Sequence, residues 1–197
     1  MANDAPITPR GVNHLVLNVS NIDVSHTFWT EIIGLKCVAQ LKSTPERPRP
    51  TMRFYSGLDP DGRVSHHDLA LCEVPKGAGT TNGDRPEWSL VPRGVGFNHV
   101  AITWPDRESW LKQVEFLQSK GVTFHRRINH GMTHSVYISD PDGHGIEVLY
   151  ELPREVWEAD IDGAQNYAEA LPTEGAAALV DTMDNPVFDG RPAGARS

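Results

Sequence analysis

Two of the nine histidines in this 197-residue chain, His14 and His99, stand in nearly the same surroundings. The run Val12-Asn13-His14-Leu15-Val16-Leu17 returns 85 residues later as Phe97-Asn98-His99-Val100-Ala101-Ile102. Neutral imidazole is the commonest metal ligand in proteins. A third candidate is Glu147, set between Ile146 and Val148 in an otherwise apolar strand pattern. A carboxylate on the inward face of a core strand is costly to ionise unless it is paired or metal-bound. Taken singly, each has an ordinary reading. A histidine on an apolar strand is usually a hydrogen-bonded core residue, and a one-residue register change would turn Glu147 outward. The matched positions of His14 and His99 favour ligation. Two imidazoles and one carboxylate hold one face of an octahedral metal and leave adjacent positions open. That arrangement suits Fe(II) binding a substrate and O2 side by side.

Such a triad needs elements to position it. Each histidine repeat reads as a short buried strand followed by a helix. In the first copy Ser20, Asn21 and Asp23 offer capping oxygens, Phe28, Ile32 and Ile33 form the apolar face, and Gly34 ends the helix. In the second copy Pro105 and Asp106 open the helix, Trp110, Leu111, Val114 and Leu117 make the buried stripe, and Gly121 stops it. Strand patterns follow at 35–41, 52–55 and 68–74, and again at 122–125, 135–138 and 145–149, with the turn Asp140-Pro141-Asp142-Gly143 before the last.

The expected class is therefore α+β: two tandem βαβββ modules forming a curled mixed sheet around a metal cleft, with a C-terminal appendage. The modules are placed at 12–74 and 97–150 within a paired catalytic domain, 1–150, and are joined by a Gly- and Pro-rich linker, 75–96. A pseudo-twofold between them would bring His14 and His99 to one cavity. Residues 151–197 read as an extension, a lid or partner contact, with a short helix near 153–161, an Ala-rich turn near 174–180 and a frayed end.

Composition excludes several classes. Eighteen Lys and Arg against 26 Asp and Glu give a formal charge of −8, with no basic run, so nucleic acid is not an expected partner. No apolar stretch approaches the ~20 residues of a membrane span, and the opening residues carry no secretory signal; a soluble, cytoplasmic protein is expected. Two cysteines, Cys37 and Cys72, in apolar stretches argue against a disulfide framework or a Cys-based zinc site. Exposed sheet edges leave a homo-oligomer open.

The residues resemble the vicinal oxygen chelate superfamily, and within it single-domain type I extradiol catechol dioxygenases. The resemblance covers about residues 12–151. It rests on Asn98-His99-Val100-Ala101, on Asp140-Pro141-Asp142-Gly143-His144 with Glu147, and on His67-Asp68-Leu69-Ala70-Leu71. It implies that His14, His99 and Glu147 are ligands to Fe(II), with Mn(II) as the alternative. It also implies that His67 is the acid–base histidine, that Tyr137 hydrogen-bonds a substrate oxygen, and that His130, followed by Gly131, supports the site. His66 competes with His67 for the acid–base role. The implied partners are a small aromatic diol and O2, and the implied product is a ring-opened semialdehyde. Many members carry a second, non-catalytic copy of the double module; a single copy is expected here.

A rival within the fold is a glyoxalase- or epimerase-like metal-dependent lyase or isomerase. Its fourth ligand would come from the last strand of the first module, where His67, Asp68 and Glu73 are available. Among the remaining groups, His26 is read as solvated, His144 as stabilising the turn, and His125 and His134 as uninformative. At most one of Arg126 and Arg127 can face a substrate carboxylate, because neighbours on a strand point oppositely. Trp88, Trp104, Trp157 and Tyr167 are pocket walls or core anchors.

Overall fold

The computed structural model describes residue 9 and residues 11–78, 88–90 and 96–181. The expected frayed end, 189–197, and most of the 75–96 linker lie outside these residues. The chain divides into two compact units, Met1–Thr80 and Thr81–Ser197.

In the first unit β1 (Leu15–Val19) leads into α1 (Ile22–Thr27), a π-helical turn (Phe28–Ile32), β2 (Lys36–Gln40), β3 (Met52–Ser56) and β4 (Leu69–Glu73). Their order in the sheet is β1-β4-β3-β2; β1 and β4 run parallel and the other pairs antiparallel. The helix starts where expected: the Asn21 side chain accepts from the Asp23 and Val24 amides. Its buried stripe differs from the expected one. Ile22, Ser25, Trp29 and Ile33 face the sheet, and Trp29 is fully buried while Phe28 is half-exposed. The shift follows from the π turn, where the Ile33 amide donates to Phe28 O five residues back. Packed under that helix are Leu17, Val19, Tyr55, Leu69 and Leu71.

The second unit repeats the plan with β5 (His99–Thr103), α2 (Arg107–Ser119), β6 (Arg126–Asn129), β7 (Thr133–Ser139) and β8 (Gly145–Glu151). A short β9 (Glu169–Ala170) is added at the edge, giving the order β5-β8-β7-β6-β9. Asp106 caps α2 in a reciprocal capping box with Ser109, and Gly121 follows the helix at φ +71°, a conformation that a side chain disfavours. Trp110, Val114 and Leu117 bury against Val136, Ile138, Ile146 and Val148, and Trp110 Nε1–H donates to Val148 O. The protein is thus α+β with two mixed sheets, of four and five strands.

One strand is corrected: β6 covers Arg126–Asn129 rather than 122–125. Only His125 of the expected segment reaches the ladder, through its amide to Tyr137 O. The appendage holds α3 (Arg154–Trp157), a 3-10 turn (Glu158–Asp160), α4 (Ile161–Gln165) and a second 3-10 turn (Ala176–Leu179). No helix among the described residues is long and apolar enough to cross a membrane.

Candidate functional site

In the second unit the strand register gathers the expected residues on the sheet face opposite α2. Ala101 pairs with Glu147, and Tyr137 pairs with Glu147 from the other side. His99 Nε2 lies 3.2 Å from Glu147 Oε2, with the carboxylate side chain 10% exposed. Tyr137 donates its hydroxyl to Glu147 Oε1 at 3.0 Å, and His130 Nε2 meets the same hydroxyl at 2.8 Å. Because the phenol proton points at the carboxylate, His130 is the donor to the phenol oxygen. Burial raises the Tyr137 phenol far above its ordinary value, and the Glu147 charge adds to this, so it remains a neutral donor. For Glu147 burial acts upward too. Contact with the His99 imidazole and hydrogen bonds from Ser135 and Tyr137 overcome it and hold the carboxyl below the ordinary range.

Asn98 fixes which nitrogen of His99 is free. Its Nδ2 donates to Leu90 O at 3.3 Å, which orients the amide, and its Oδ1 lies 2.7 Å from His99 Nδ1. An amide oxygen only accepts, so Nδ1 carries the proton and the Nε2 lone pair faces Glu147. Two acceptors 3.2 Å apart require a cation between them, a proton or a metal ion. The nitrogen–oxygen donor pair and its supporting amide match how divalent first-row metals are held. The residues fit such an ion.

In the first unit the same amide–imidazole pair recurs: His14 Nδ1 lies 2.8 Å from Asn13 Oδ1. The His67 ring stands 4.4 Å from that of His14 and 5.0 Å from that of Phe54. His66 is also present, its Nδ1 2.8 Å from His67 Nδ1, so one of the two donates and the other accepts. Burial lowers the pKa of His67, and the neighbouring His14 and His66 lower it further, which favours the neutral base. Asp68 is committed elsewhere: it accepts from the Gly57 amide, Ser56 Oγ and Ser65 Oγ. Glu73, at the far end of β4, accepts from the Ile22 amide. Among the described residues no group of three His, Cys, Asp or Glu forms a ready metal cage.

Several minor expectations change. His26 is half-buried and bonded to the Tyr55 hydroxyl at 3.1 Å rather than solvated. His144 does brace the turn, with Nδ1 2.9 Å from Asp140 Oδ2. The two arginines point oppositely, as strand neighbours do, with Arg126 at the position paired with Tyr137. Arg126 is exposed, and Arg127 turns to the α2 side, where it donates to Ala177 O and Val180 O and pairs with Asp181. His134 is fully buried there, 2.7 Å from Asp181, which also accepts from the Tyr150 hydroxyl at 2.6 Å. Asp181 lies 47 residues from His134 in sequence, so no local pattern joins them. Trp88, named only as one of several aromatics, lies on the site face: its ring stacks on Tyr137 at 5.3 Å and 9°.

The sequence profile of the Glyoxalase/Bleomycin resistance protein/Dioxygenase superfamily matches residues 11–148. A catechol-2,3-dioxygenase from Bacillus subtilis is 35% identical over 77% of this chain and 45% of its own length. A lactoylglutathione lyase from Schizosaccharomyces pombe is 27% identical over 76% of this chain and 50% of its own. The chain thus spans about half the length of these curated relatives. A solved glyoxylase/bleomycin resistance protein/dioxygenase domain from Frankia sp. EAN1pec shares the fold, with a TM-score of 0.51 at 22% identity, covering 73% of this chain and 99% of that one. With its profile match, doubled βαβββ plan and paired Asn-His strands, the chain belongs to the Glyoxalase/Bleomycin resistance protein/Dioxygenase superfamily.

Proposed function

We propose that the protein is an Fe(II)-dependent extradiol dioxygenase, with Mn(II) as the alternative metal, which opens the ring of a catechol-type diol using O2. His14, His99 and Glu147 are assigned as the metal ligands, His67 as the acid–base group, and Tyr137 and His130 as supporting groups. The assignment of His14 rests on its matched place in the repeat and on its Asn13 partner.

One observation carries the choice between the family's chemistries. Two residues beyond each histidine, Val16 pairs with Ala70 and Ala101 pairs with Glu147. The next strand repeats the match, Phe54 opposite Ala70 and Tyr137 opposite Glu147. The first unit therefore has a buried alanine where the second has its carboxylate. A four-ligand lyase site needs a donor from that strand; of the three candidates Asp68 and Glu73 are engaged elsewhere, which leaves His67 for the test below. Two histidines and one carboxylate leave room for a diol and O2.

The chemistry that bound Fe(II) supplies is acidification of a diol hydroxyl and a shared meeting point for diol and O2. The chain's own groups manage position and protons. Asn13 and Asn98 hold the imidazoles by Nδ1 and leave Nε2 for the metal. The Tyr137 hydroxyl fixes one oxygen of Glu147 and leaves the other, Oε2, beside His99. His67, kept neutral, takes a substrate proton and returns it as the ring opens.

The test is an oxygen-electrode assay of the Fe(II)-reconstituted protein across a catechol panel. The expected result is O2 uptake matching diol consumed, with yellowing as the semialdehyde forms. Absence of uptake across the panel would overturn the assignment. His67→Ala is expected to keep iron and lose most turnover; loss of iron there would make His67 a ligand and favour the lyase.

A further inference from the structure

Trp88 is built into the face of the second unit that carries His99 and Glu147. Its Nε1–H donates to Asn98 O at 2.7 Å, and Asn98 answers through Nδ2 to Leu90 O. Every polar group of the Asn98 side chain, and its carbonyl, is thereby used: one bond holds His99 and two hold residues 88–90. The indole plane stacks on Tyr137 and meets the His99 ring edge-on, at 6.1 Å and 88°. Room for this comes from Gly145, since a Cβ there would come within 2.0 Å of Trp88 Nε1. The corresponding register position in the first unit is Asp68, opposite His14, so no such notch exists in the described part of that sheet. Stacking, a directed hydrogen bond and a glycine notch make this a built position.

An indole has a larger flat area than a phenyl substituent, and here it covers the Tyr137 face beside a ligand histidine. A second ring that a diol near His99 and Glu147 extended over Tyr137 would meet the indole. Resting on the dioxygenase reading above, we infer that Trp88 is a specificity-determining wall that restricts the substrate to monocyclic diols and excludes those bearing an aryl substituent beside the hydroxyls.

The experiment measures binding rather than turnover. Fe(II)-loaded protein under argon is titrated with catechol and with a catechol bearing a phenyl ring at position 3, each followed by difference absorbance. Wild type is expected to bind catechol at least about tenfold more tightly than the phenyl-substituted diol. Trp88→Ala is expected to reduce that ratio by about tenfold or more, within the range that pocket shape alone achieves. Trp88→Phe, which keeps a flat ring but loses the bond to Asn98 O, is expected to retain most of the preference, and it guards against a folding defect in the alanine variant. A wild-type preference for the phenyl-substituted diol, or a Trp88→Ala ratio within about twofold of wild type, overturns the wall while leaving the dioxygenase reading intact. If neither diol binds the loaded wild type, the dioxygenase reading falls, and this inference with it.

Discussion

The two sheets are built on one plan, yet they carry different chemistry at matched points. Asn13-His14 and Asn98-His99 open equivalent strands with the same amide-to-imidazole bond. Beyond them the copies diverge: Ala70 and Phe54 in the first sheet stand where Glu147 and Tyr137 stand in the second. The second sheet alone thus supplies a buried anion with a donor aimed at it. On the proposed assignment, a duplicated scaffold that keeps both histidines but one carboxylate would offer an ion three donors rather than four. On the helix sides the contrast is similar. Arg53 pairs with an 80% exposed Asp23, whereas Asp181 is buried among His134, Tyr150, Arg127 and Arg107.

The strongest way to break the comparison is to erase the carboxylate. Glu147→Gln is expected to weaken Fe(II) binding by more than roughly a hundredfold, beyond the roughly 10–100-fold typical of groups that only support a ligand. Metal analysis after gel filtration checks it. The converse change, Ala70→Glu, places a carboxylate at the matched position of the first sheet. If near-UV circular dichroism remains native, O2 uptake is expected to fall at least tenfold as an open metal position closes. Unchanged uptake would mean that Ala70 does not face the ion.

The helix-side contrast gives a stability pair. Asp181→Asn leaves Arg127 buried without its counter-charge and is expected to cost about 3 kcal/mol in urea unfolding, against under about 1 kcal/mol for Asp23→Asn. Burial pushes the Asp181 carboxyl up, but hydrogen bonds from His134 and Tyr150 and the charges of His134 and Arg107 win and depress it. Its contribution is therefore present above the unfolded value of about 4 and lost as pH falls through the lower folded one. Acid titration of stability should flatten in Asp181→Asn.

Smaller effects sharpen the match between the histidines. Asn13→Ala and Asn98→Ala should each weaken Fe(II) binding by roughly 10–100-fold, Asn98→Ala more, since it also frees residues 88–90. Tyr137→Phe removes one donor to Glu147, at a cost of about 1.5–3 kcal/mol for a hydrogen bond to a charged group, and lets the carboxyl pKa rise. Metal binding needs the carboxylate, so its acid edge should move to higher pH in a pH titration of Fe(II) affinity.

Much of this was legible from local signals. Asn21 and Asp106 fall at helix starts because their short side chains reach backbone amides two or three residues on, and Glu147 stood out as a charge in an apolar strand. What escaped depends on distant partners. Arg126 and Arg127 look unlike strand residues, and the apolar Val122 and Phe124 look more so. Arg127 can nevertheless lie buried in β6 because Asp181, 54 residues on, neutralises it. Trp29 anchors the first helix through a π turn, a feature with no spacing signature. Trp88 is placed by Gly145, a residue that reads in sequence only as the first position of the last strand.

On the proposed assignment, one ion draws ligands from both halves. Metal titration of the reconstituted wild type, His14→Ala and His99→Ala proteins tests it directly. One Fe(II) per chain is expected in the wild type and less than about a tenth of that in either variant. A full equivalent retained by His14→Ala would contradict it.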